Sequence, residues 1–379
     1  MSAEPEMDNL AGKPNSQPVV LRNGRLDVVR GIAVLLVLAA HSYQPPAHYP
    51  EWVRFSLIWL KQGGWVGVDL FLVLSGYLVT GLLCQSYLKH GRARSARFLL
   101  RRAFKIYPSF YLFVLCVWVI KTIAEGGVPI RQLLADVFFV QNYSDGMMYH
   151  TWTLALEEHF YIFVAGASWF FLSRRQAPRS FGIALITLVV LPPIFRVFTN
   201  LALPFSYITH YKPTHLRIDG LAIGALIAYA QYFIPRLFAR LTEGVGSPQL
   251  VLAVATLASL VSLDISESLF LRTVGFSGTS LACAVVVLYS LKCSEPYRSK
   301  VFRAGLSSLE LIGRCSYNIY LWHLPVFYWF FGALRRLGVP DIYETRTIAF
   351  VGGSLLVGWL MTKLWEAPML RLRDRLFPR

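Results

Sequence analysis

The first strongly apolar segment of the chain carries two charges and a histidine. Asp27, Arg30 and His41 lie in the stretch 26–44, which is long enough to cross a bilayer as a helix. An eleven-residue step brings His41 to within about 20° of the helix face that carries Arg30, about 16 Å further along the axis. Ionisable groups at membrane depth usually face a protein interior or a wet cavity, so these residues are functional candidates.

His41 has two interpretations at this point. An imidazole titrates near neutrality and can take a proton from a hydroxyl group, so His41 is suited to act as a general base. Alternatively, Asp27 pairs with Arg30 at the membrane interface, and His41 is a hydrated residue at the outer end of the helix. Either arrangement satisfies the cost of burying a charge, so the spacing alone favours neither.

The segment 150–161 is the second candidate. His150, Thr153, Glu157 and Tyr161 fall on one stripe of a helix. Lipid cannot satisfy both Glu157 and its neighbour Glu158, so at least one carboxylate must face a cavity or a cation. Glu157 is therefore predicted to orient a catalytic histidine or bind a hydroxyl group, with a structural pair to an arginine of another helix as the alternative.

The second apolar segment contains an aspartate and a serine. Asp69 lies just inside its outer end, so it requires water or a partner in the first loop. Ser75 either contacts a substrate or forms a hydrogen bond between helices. Both are predicted to support the site or its acceptor.

Seven basic residues lie between positions 89 and 105. Those from Lys89 to Arg97 are expected to bind anionic lipid headgroups and to set the topology. Arg101, Arg102 and Lys105 lie where the third apolar segment begins. They are predicted to hold the phosphates of a cytoplasmic donor, because arginine side chains match phosphate geometry with two parallel hydrogen bonds.

Two later groups complete the candidate residues. Arg217 and Asp219 begin the sixth apolar segment, and Ser316, Tyr320 and His323 share one stripe of the ninth. Each group is either a satisfied polar cluster within the fold or part of the same cavity as the residues above.

Composition places most of these residues in a membrane. The 379 residues are 55% hydrophobic and only 15% charged, whereas a soluble domain has nearer a quarter charged residues. We therefore predict an all-α fold, a polytopic membrane helix bundle of about ten transmembrane helices. The predicted spans are about 26–44, 65–84, 106–124, 151–172, 181–199, 216–234, 249–263, 269–291, 311–333 and 347–365.

The net charge of +16 does not indicate a nucleic-acid partner. Basic residues concentrate in alternate loops, while acidic residues lie in the intervening ones, which is typical of a membrane protein with both termini in the cytoplasm. We predict a disordered tail over 1–21, a membrane domain over 22–370 and a basic cytoplasmic tail over 371–379. No zinc-binding, phosphate-loop or nucleophile-elbow motif is present, so no metal and no permanently bound cofactor is expected.

Several ordered motifs together resemble acyltransferase family 3, the membrane acyl-CoA-dependent O-acyltransferases that modify bacterial surface polysaccharides. The matching segments are Arg30 with His41, Val68–Gly76, Arg101–Pro108, Trp152–Glu157, Arg217–Gly220, Ser316–His323 and Glu366–Pro368. Two positions depart from the family pattern. Thr153 replaces the usual serine and keeps the hydroxyl group, while Lys105 replaces an arginine and loses its bidentate geometry.

The resemblance implies acetyl-CoA or another short acyl-CoA as donor, with His41 as the catalytic residue and Arg30 and Glu157 in support. It implies a multi-pass protein of the bacterial inner membrane that contacts lipid and acylates a hydroxyl group of a cell-envelope polysaccharide or lipid-linked glycan precursor. Whether His41 is a base or carries the acyl group stays open. The alternatives are acylation of a small secreted molecule or lipid, a transporter or flippase, and a non-catalytic scaffold.

Overall fold

The computed structural model describes residues 24–173, 178–292 and 300–378, and all regular secondary structure in these ranges is helical. This confirms the all-α class. The predicted tail over 1–21 lies outside the described residues. The α-helices are α1 Gly24–Ala40, α2 Glu51–Gly63, α3 Val66–His90, α4 Ser95–Glu125, α5 Ile130–Val137, α6 Trp152–Ser173, α7 Pro178–Ala202, α8 Thr214–Arg217, α9 Asp219–Phe233, α10 Pro235–Gly244, α11 Ser247–Val261, α12 Phe276–Lys292, α13 Lys300–Pro325, α14 Phe331–Arg336, α15 Tyr343–Met361 and α16 Ala367–Leu376.

Shorter turns of other helix types interrupt the α-helices. A 3-10 turn covers Tyr149–Thr151, and π-helical turns cover Tyr207–Tyr211, Leu271–Gly275, Val326–Phe330 and Thr362–Glu366. Single π-helical turns often occur at functional sites, because the extra residue redirects neighbouring side chains. The 3-10 turn and two of the π-helical turns carry residues of the cavities described below.

Each of the ten predicted spans overlaps a helix. Among the described residues, five helical runs are long and apolar enough on their own to cross a membrane: Glu51–His90, Ser95–Glu125, Pro178–Ala202, Leu271–Lys292 and Tyr343–Leu376. A sixth candidate is the pair α10 and α11, which meet at an angle of 79°. Helices α1 and α9 have only 17 and 15 residues, fewer than the roughly 20 that a span requires. The number of crossings and the side of the termini stay predictions.

Close backbone contact brings the functional helices together. A Cβ atom on Gly76 of α3 would lie 1.9 Å from the carbonyl oxygen of Leu221 in α9. One on Gly313 of α13 would lie 1.7 Å from the carbonyl oxygen of Asp27 in α1. Small residues that allow helices to touch are typical of membrane bundles. As a result, α1 lies directly against α13, which carries Tyr320 and His323.

Two buried ion pairs join the helices further. Arg217 Nη2 lies 2.7 Å from Asp69 Oδ1, and Arg196 Nη2 lies 3.0 Å from Asp219 Oδ2. The four side chains are at most 2% exposed. The expectation that Asp69 needs water or a partner in the first loop was wrong, because its partner is an arginine more than a hundred residues away in the sequence. Arg196, which the sequence placed near a span end, is fully buried.

Candidate active site

Two cavities of about 580 and 570 Å³ lie one above the other inside the bundle. The first, here the histidine cavity, is lined by His41, Trp65, Tyr149, His150, Trp152, Tyr207 and Tyr211, among others. The second, here the basic cavity, is lined by Arg30, Arg102, Lys105, Glu157, Arg314, Lys363 and Arg373, among others. Val68 and Tyr320 line both cavities, so these two side chains form the boundary between them.

The basic cavity collects cations from five helical segments, including Arg30 of α1. Arg102 and Lys105 are three residues apart in α4 and therefore share a face. Arg314, Lys363 and Arg373 come from α13, from the π-helical turn at 362–366 and from α16. Arg314 and Lys363 were not among the residues that the sequence predicted for the site. The sequence position of Lys363, three residues before the Glu366–Pro368 motif, could have indicated that it belongs to the site.

One wall of the basic cavity is a polar cluster around Glu157. The hydroxyl of Tyr161 donates a hydrogen bond to Glu157 Oε2, and Ser75 Oγ lies 3.1 Å from the same hydroxyl. The guanidinium of Arg102 lies 5.4 Å from the centre of the Tyr161 ring. The prediction that at least one of Glu157 and Glu158 faces a cavity is confirmed, since both line this one. Ser75 joins the cavity wall as well as linking two helices.

Of the three residues predicted to bind phosphate, Arg101 lies apart from Arg102 and Lys105. Arg101 donates hydrogen bonds to Asp374 Oδ1, at 2.8 Å, and to the carbonyl oxygen of Phe377. It is absent from the described lining of the basic cavity, where Arg102 and Lys105 are present. The reason is helical geometry, because consecutive residues point about 100° apart. The C-terminal helix α16 thus holds Arg101 while contributing Arg373 to the cavity.

Arg30 and His41 lie in different cavities. Arg30 lines the basic cavity, with its Nη1 atom 3.5 Å from Asp27 Oδ1, so the predicted Asp27–Arg30 pair is confirmed. His41 follows the last residue of α1 and lines the histidine cavity. The structure therefore does not bring His41 next to Arg30 or Glu157. The shared face of α1 instead leads from one cavity to the other.

The histidine cavity joins residues from distant parts of the chain. His41 Nδ1 lies 2.9 Å from the carbonyl oxygen of Val37 and 3.3 Å from His323 Nε2. The Tyr320 hydroxyl donates to the carbonyl oxygen of His150 and lies 2.6 Å from Thr153 Oγ1. Tyr320 of α13 thus lines the cavity, while His323 of the same stripe contacts His41 without being in the described lining.

Charged residues of both signs surround the mouth of the histidine cavity. Lys212 and Asp264 line it, and Lys212 Nζ lies 3.3 Å from Asp145 Oδ1. Hydrogen bonds from the side chain and the backbone N–H of Ser266 lower the pKa of Asp264, so this carboxylate is ionised near neutral pH. A ligand that enters here meets polar groups first and aromatic rings further in.

Asp69, Arg217 and Asp219 are not among the described residues that line either cavity. The Arg217 guanidinium lies 4.8 Å from the centre of the Tyr211 ring and 4.0 Å from that of Phe276. Tyr211 lines the histidine cavity, so the ion pairs support the wall from behind. Their observed contacts are structural, and nothing in them reaches the cavity space directly.

Comparison with known proteins agrees with this geometry. A family model described as an acyltransferase domain, that of acyltransferase family 3, matches residues 23–363. The chain belongs to this family. It is 28% identical over 372 residues to the peptidoglycan O-acetyltransferase OatA of Listeria monocytogenes, covering 91% of this chain and 55% of the relative. It is also 28% identical over 336 residues to the O-acetyltransferase OatA of Staphylococcus aureus, covering 79% and 50%.

The chain thus spans about half the length of these curated relatives. No solved structure matches it. Together with the apolar helices, the family indicates a multi-pass membrane acyltransferase. This supports the enzyme over the transporter and scaffold alternatives, for which no comparison gives support.

Proposed function

We propose that this protein transfers an acetyl or other short acyl group from acyl-CoA to a hydroxyl group of a cell-envelope polysaccharide or a lipid-linked glycan precursor. The observation that carries the proposal is the pair of chemically different cavities that meet at Val68 and Tyr320. The basic cavity suits a phosphorylated donor, and the histidine cavity suits a sugar. Peptidoglycan, named for the Listeria relative, is one polysaccharide of this class.

The donor would enter the basic cavity. CoA carries phosphate groups at one end and the thioester at the end of a long flexible arm. Arg102, Lys105, Lys363 and Arg373 supply the cations that phosphates require. The arm would then extend past Ser75 and the Glu157 cluster, placing the thioester against Val68 and Tyr320. The proposal puts this cavity on the cytoplasmic side of a bacterial inner membrane, which the tendency of basic residues to lie on that side supports.

The acceptor would enter the histidine cavity from the opposite side. Sugar rings present apolar faces edged by hydroxyl groups, and aromatic side chains with a polar rim are suited to bind them. Trp65, Tyr149, Trp152 and Tyr211 supply the rings, while Lys212 and Asp264 supply polar contacts near the mouth. A hydroxyl group of the sugar would approach His41 at the inner end.

His41 would then act as general base. The acceptor oxygen bonds to the thioester carbonyl carbon while the carbon–sulfur bond breaks. His41 Nε2 takes the hydroxyl proton and returns it to the departing thiolate, which leaves as free CoA thiol. The products are an ester and CoA, and His41 ends neutral. Arg30, which lies in the basic cavity, supports the donor rather than the base.

The test uses purified protein with acetyl-CoA and a soluble cell-wall glycan fragment. His41→Ala is expected to lower acetyl transfer by about 100-fold or more, since general-base catalysis typically contributes about 100-fold to 10,000-fold. His215→Ala is the matched control, because His215 is exposed and contacts Tyr143 outside both cavities. Retained activity in His41→Ala would remove the assignment. Mass spectrometry of envelope glycans from a deletion strain would identify the acceptor and the added group.

A further inference from the structure

Three histidines from separate parts of the chain meet at the wall of the histidine cavity, where His41 and His150 line the cavity and His323 contacts both. The ring centres of His41 and His323 are 4.9 Å apart, and those of His150 and His323 are 4.8 Å apart. His323 is fully buried and His150 is 2% exposed. In the described part of the chain, the recorded partners of the His41 ring are a carbonyl, Tyr149 and His323, with no carboxylate among them.

Backbone carbonyls fix which ring nitrogen carries hydrogen in each case. His41 Nδ1 lies 2.9 Å from the Val37 carbonyl oxygen, and His323 Nδ1 lies 2.6 Å from that of Tyr320. A carbonyl oxygen only accepts hydrogen bonds, so each of these nitrogens must be the N–H donor. In the neutral rings, the lone pairs then lie on His41 Nε2 and His323 Nε2.

This assignment makes the contact between the two rings directional. The lone pair of His323 Nε2 faces the N–H of His41 Nδ1 at 3.3 Å. His41 Nε2 is left with a lone pair, which is the state that a general base requires. In many hydrolases a carboxylate accepts the corresponding N–H of the catalytic histidine, holds its tautomer and stabilises the charged ring.

We propose that His323 is the positioning residue for His41: its Nε2 shares the His41 Nδ1 hydrogen with the Val37 carbonyl oxygen and so orients the ring with Nε2 free to take the acceptor's proton. When His41 gains that proton, its Nδ1–H hydrogen bond to His323 strengthens, and the positive charge is shared with a neutral partner. The proton stays on His41 until the thiolate removes it. This role rests on the proposed function and adds a residue to it.

The surroundings hold His323 in place. Its Nδ1–H is bound to the Tyr320 carbonyl within the same turn of α13, and the His150 ring packs edge-on against it at 77°. His150 is anchored in turn, with Nε2 3.1 Å from the Leu321 carbonyl oxygen. A rigid acceptor of this kind is what positions a catalytic group within a fraction of an ångström.

The kinetic test compares His323→Leu with His323→Gln. The leucine variant should lower kcat for acetyl transfer by about 100-fold, while KM for acetyl-CoA stays within about twofold, because the donor binds in the other cavity. The side-chain oxygen of the glutamine variant can accept a hydrogen bond from the His41 N–H, so its kcat should be about tenfold higher than that of the leucine variant. Equal activities of the two variants, or a rise in KM that explains the loss, would overturn the role.

A second measurement does not depend on activity. Nitrogen-15 spectra of histidine-labelled protein, assigned through the missing signal in His41→Ala, should show His41 protonated on Nδ1 in the wild type and in His323→Gln. A His41 ring protonated on Nε2 in the wild type would refute the pairing even if acetyl transfer is observed. Conversely, a His41 Nδ1 signal that moves in His323→Leu and returns towards its wild-type position in His323→Gln, in a protein that transfers no acetyl group, would support the pairing and refute the proposed function.

Discussion

The two cavities are similar in size but differ in nearly every other respect. The basic cavity is lined by cations from five helical segments and by the three carboxylates of Glu157, Glu158 and Glu366. The histidine cavity is lined by aromatic rings and imidazoles, with charges only near its mouth. Their volumes of about 570 and 580 Å³ are each enough for part of a large substrate.

This contrast explains why the polar residues of one helix face can serve separate tasks. On α1, Arg30 lines one cavity and His41 the other. The same division applies to the stripe from His150 through Thr153 to Glu157, where His150 lines the histidine cavity and the other two line the basic cavity. Under the proposed function, this arrangement keeps a charged donor site apart from a base that must stay neutral. Electrostatic repulsion between the cations and a protonated imidazole is reduced by distance.

The strongest way to break the comparison is to close the boundary between the cavities. Val68→Trp places a bulky ring where both cavities meet and should abolish transfer, a loss of at least about 100-fold or roughly 2.7 kcal/mol. Binding of free CoA, measured by calorimetry, should persist because the cations of the basic cavity are unchanged. Val68→Ala is the matched control and should remain active. Undiminished transfer in the tryptophan variant would show that the acyl group takes another route.

The buried ion pair behind the histidine cavity should matter for folding rather than for chemistry. Asp69→Leu leaves the Arg217 guanidinium buried without its carboxylate, and removing one partner of such a pair costs about 3–5 kcal/mol of unfolding free energy. Asp69→Leu combined with Arg217→Leu should recover most of that loss. Unfolding in detergent, followed by tryptophan fluorescence, measures both.

The exposed pair of Lys121 and Glu125, 3.3 Å apart, is the control for this prediction. Its glutamate is 46% exposed, so breaking the pair should have little effect. If the double variant Asp69→Leu with Arg217→Leu is as unstable as Asp69→Leu alone, the fold needs the two charges themselves. If Asp69→Leu folds normally but fails to bind acceptor, the pair belongs to the site and not to its support.

A smaller effect separates the cations that line the basic cavity from those nearby. Arg102→Gln combined with Lys105→Gln should raise KM for acetyl-CoA by about tenfold, which corresponds to roughly 1.4 kcal/mol. Arg101→Gln should leave KM within about twofold, because Arg101 contacts Asp374 and Phe377 instead of the cavity. Steady-state kinetics at fixed acceptor distinguishes them. Equal effects of the two changes would mean that α16 moves away when the donor binds.

Sequence reasoning reached the fold class and several polar residues of the two cavities, because helix periodicity shows which residues share a face. It correctly grouped Tyr320 with His323, and Glu157 with Tyr161. It also anticipated that Arg30 and His41 stand at opposite ends of one face, which the structure places in separate cavities.

What the sequence could not supply was contact between helices that are distant along the chain. Nothing in the spacing indicates that Asp69 binds Arg217, or that Arg196 binds Asp219. The separation of Arg101 from Arg102 depends on where α16 packs. The contact between His41 and His323, 282 residues apart in sequence, requires the close approach of α1 and α13 at Gly313.

The smallest predicted effect concerns the loop that carries Tyr149 and His150. Asp136 lies near the end of α5, next to this loop. It is fully buried and accepts hydrogen bonds from the Met147 backbone N–H and from Thr151 Oγ1. Burial raises the pKa of Asp136 to about 6, although these hydrogen bonds oppose the rise. A raised folded-state pKa means that the folded protein binds the proton more tightly than the unfolded chain does.

The stability contributed by protonated Asp136 is therefore present at low pH and lost as the pH rises through about 6. Between pH 5 and 7 the wild type should lose about 1 kcal/mol of unfolding free energy that Asp136→Asn does not lose. Thermal unfolding in detergent at several pH values measures the difference. If the unfolding free energies of the wild type and Asp136→Asn changed in parallel with pH, the Asp136 carboxylate would keep its charge in the folded protein. The support of the histidine cavity would then not depend on pH.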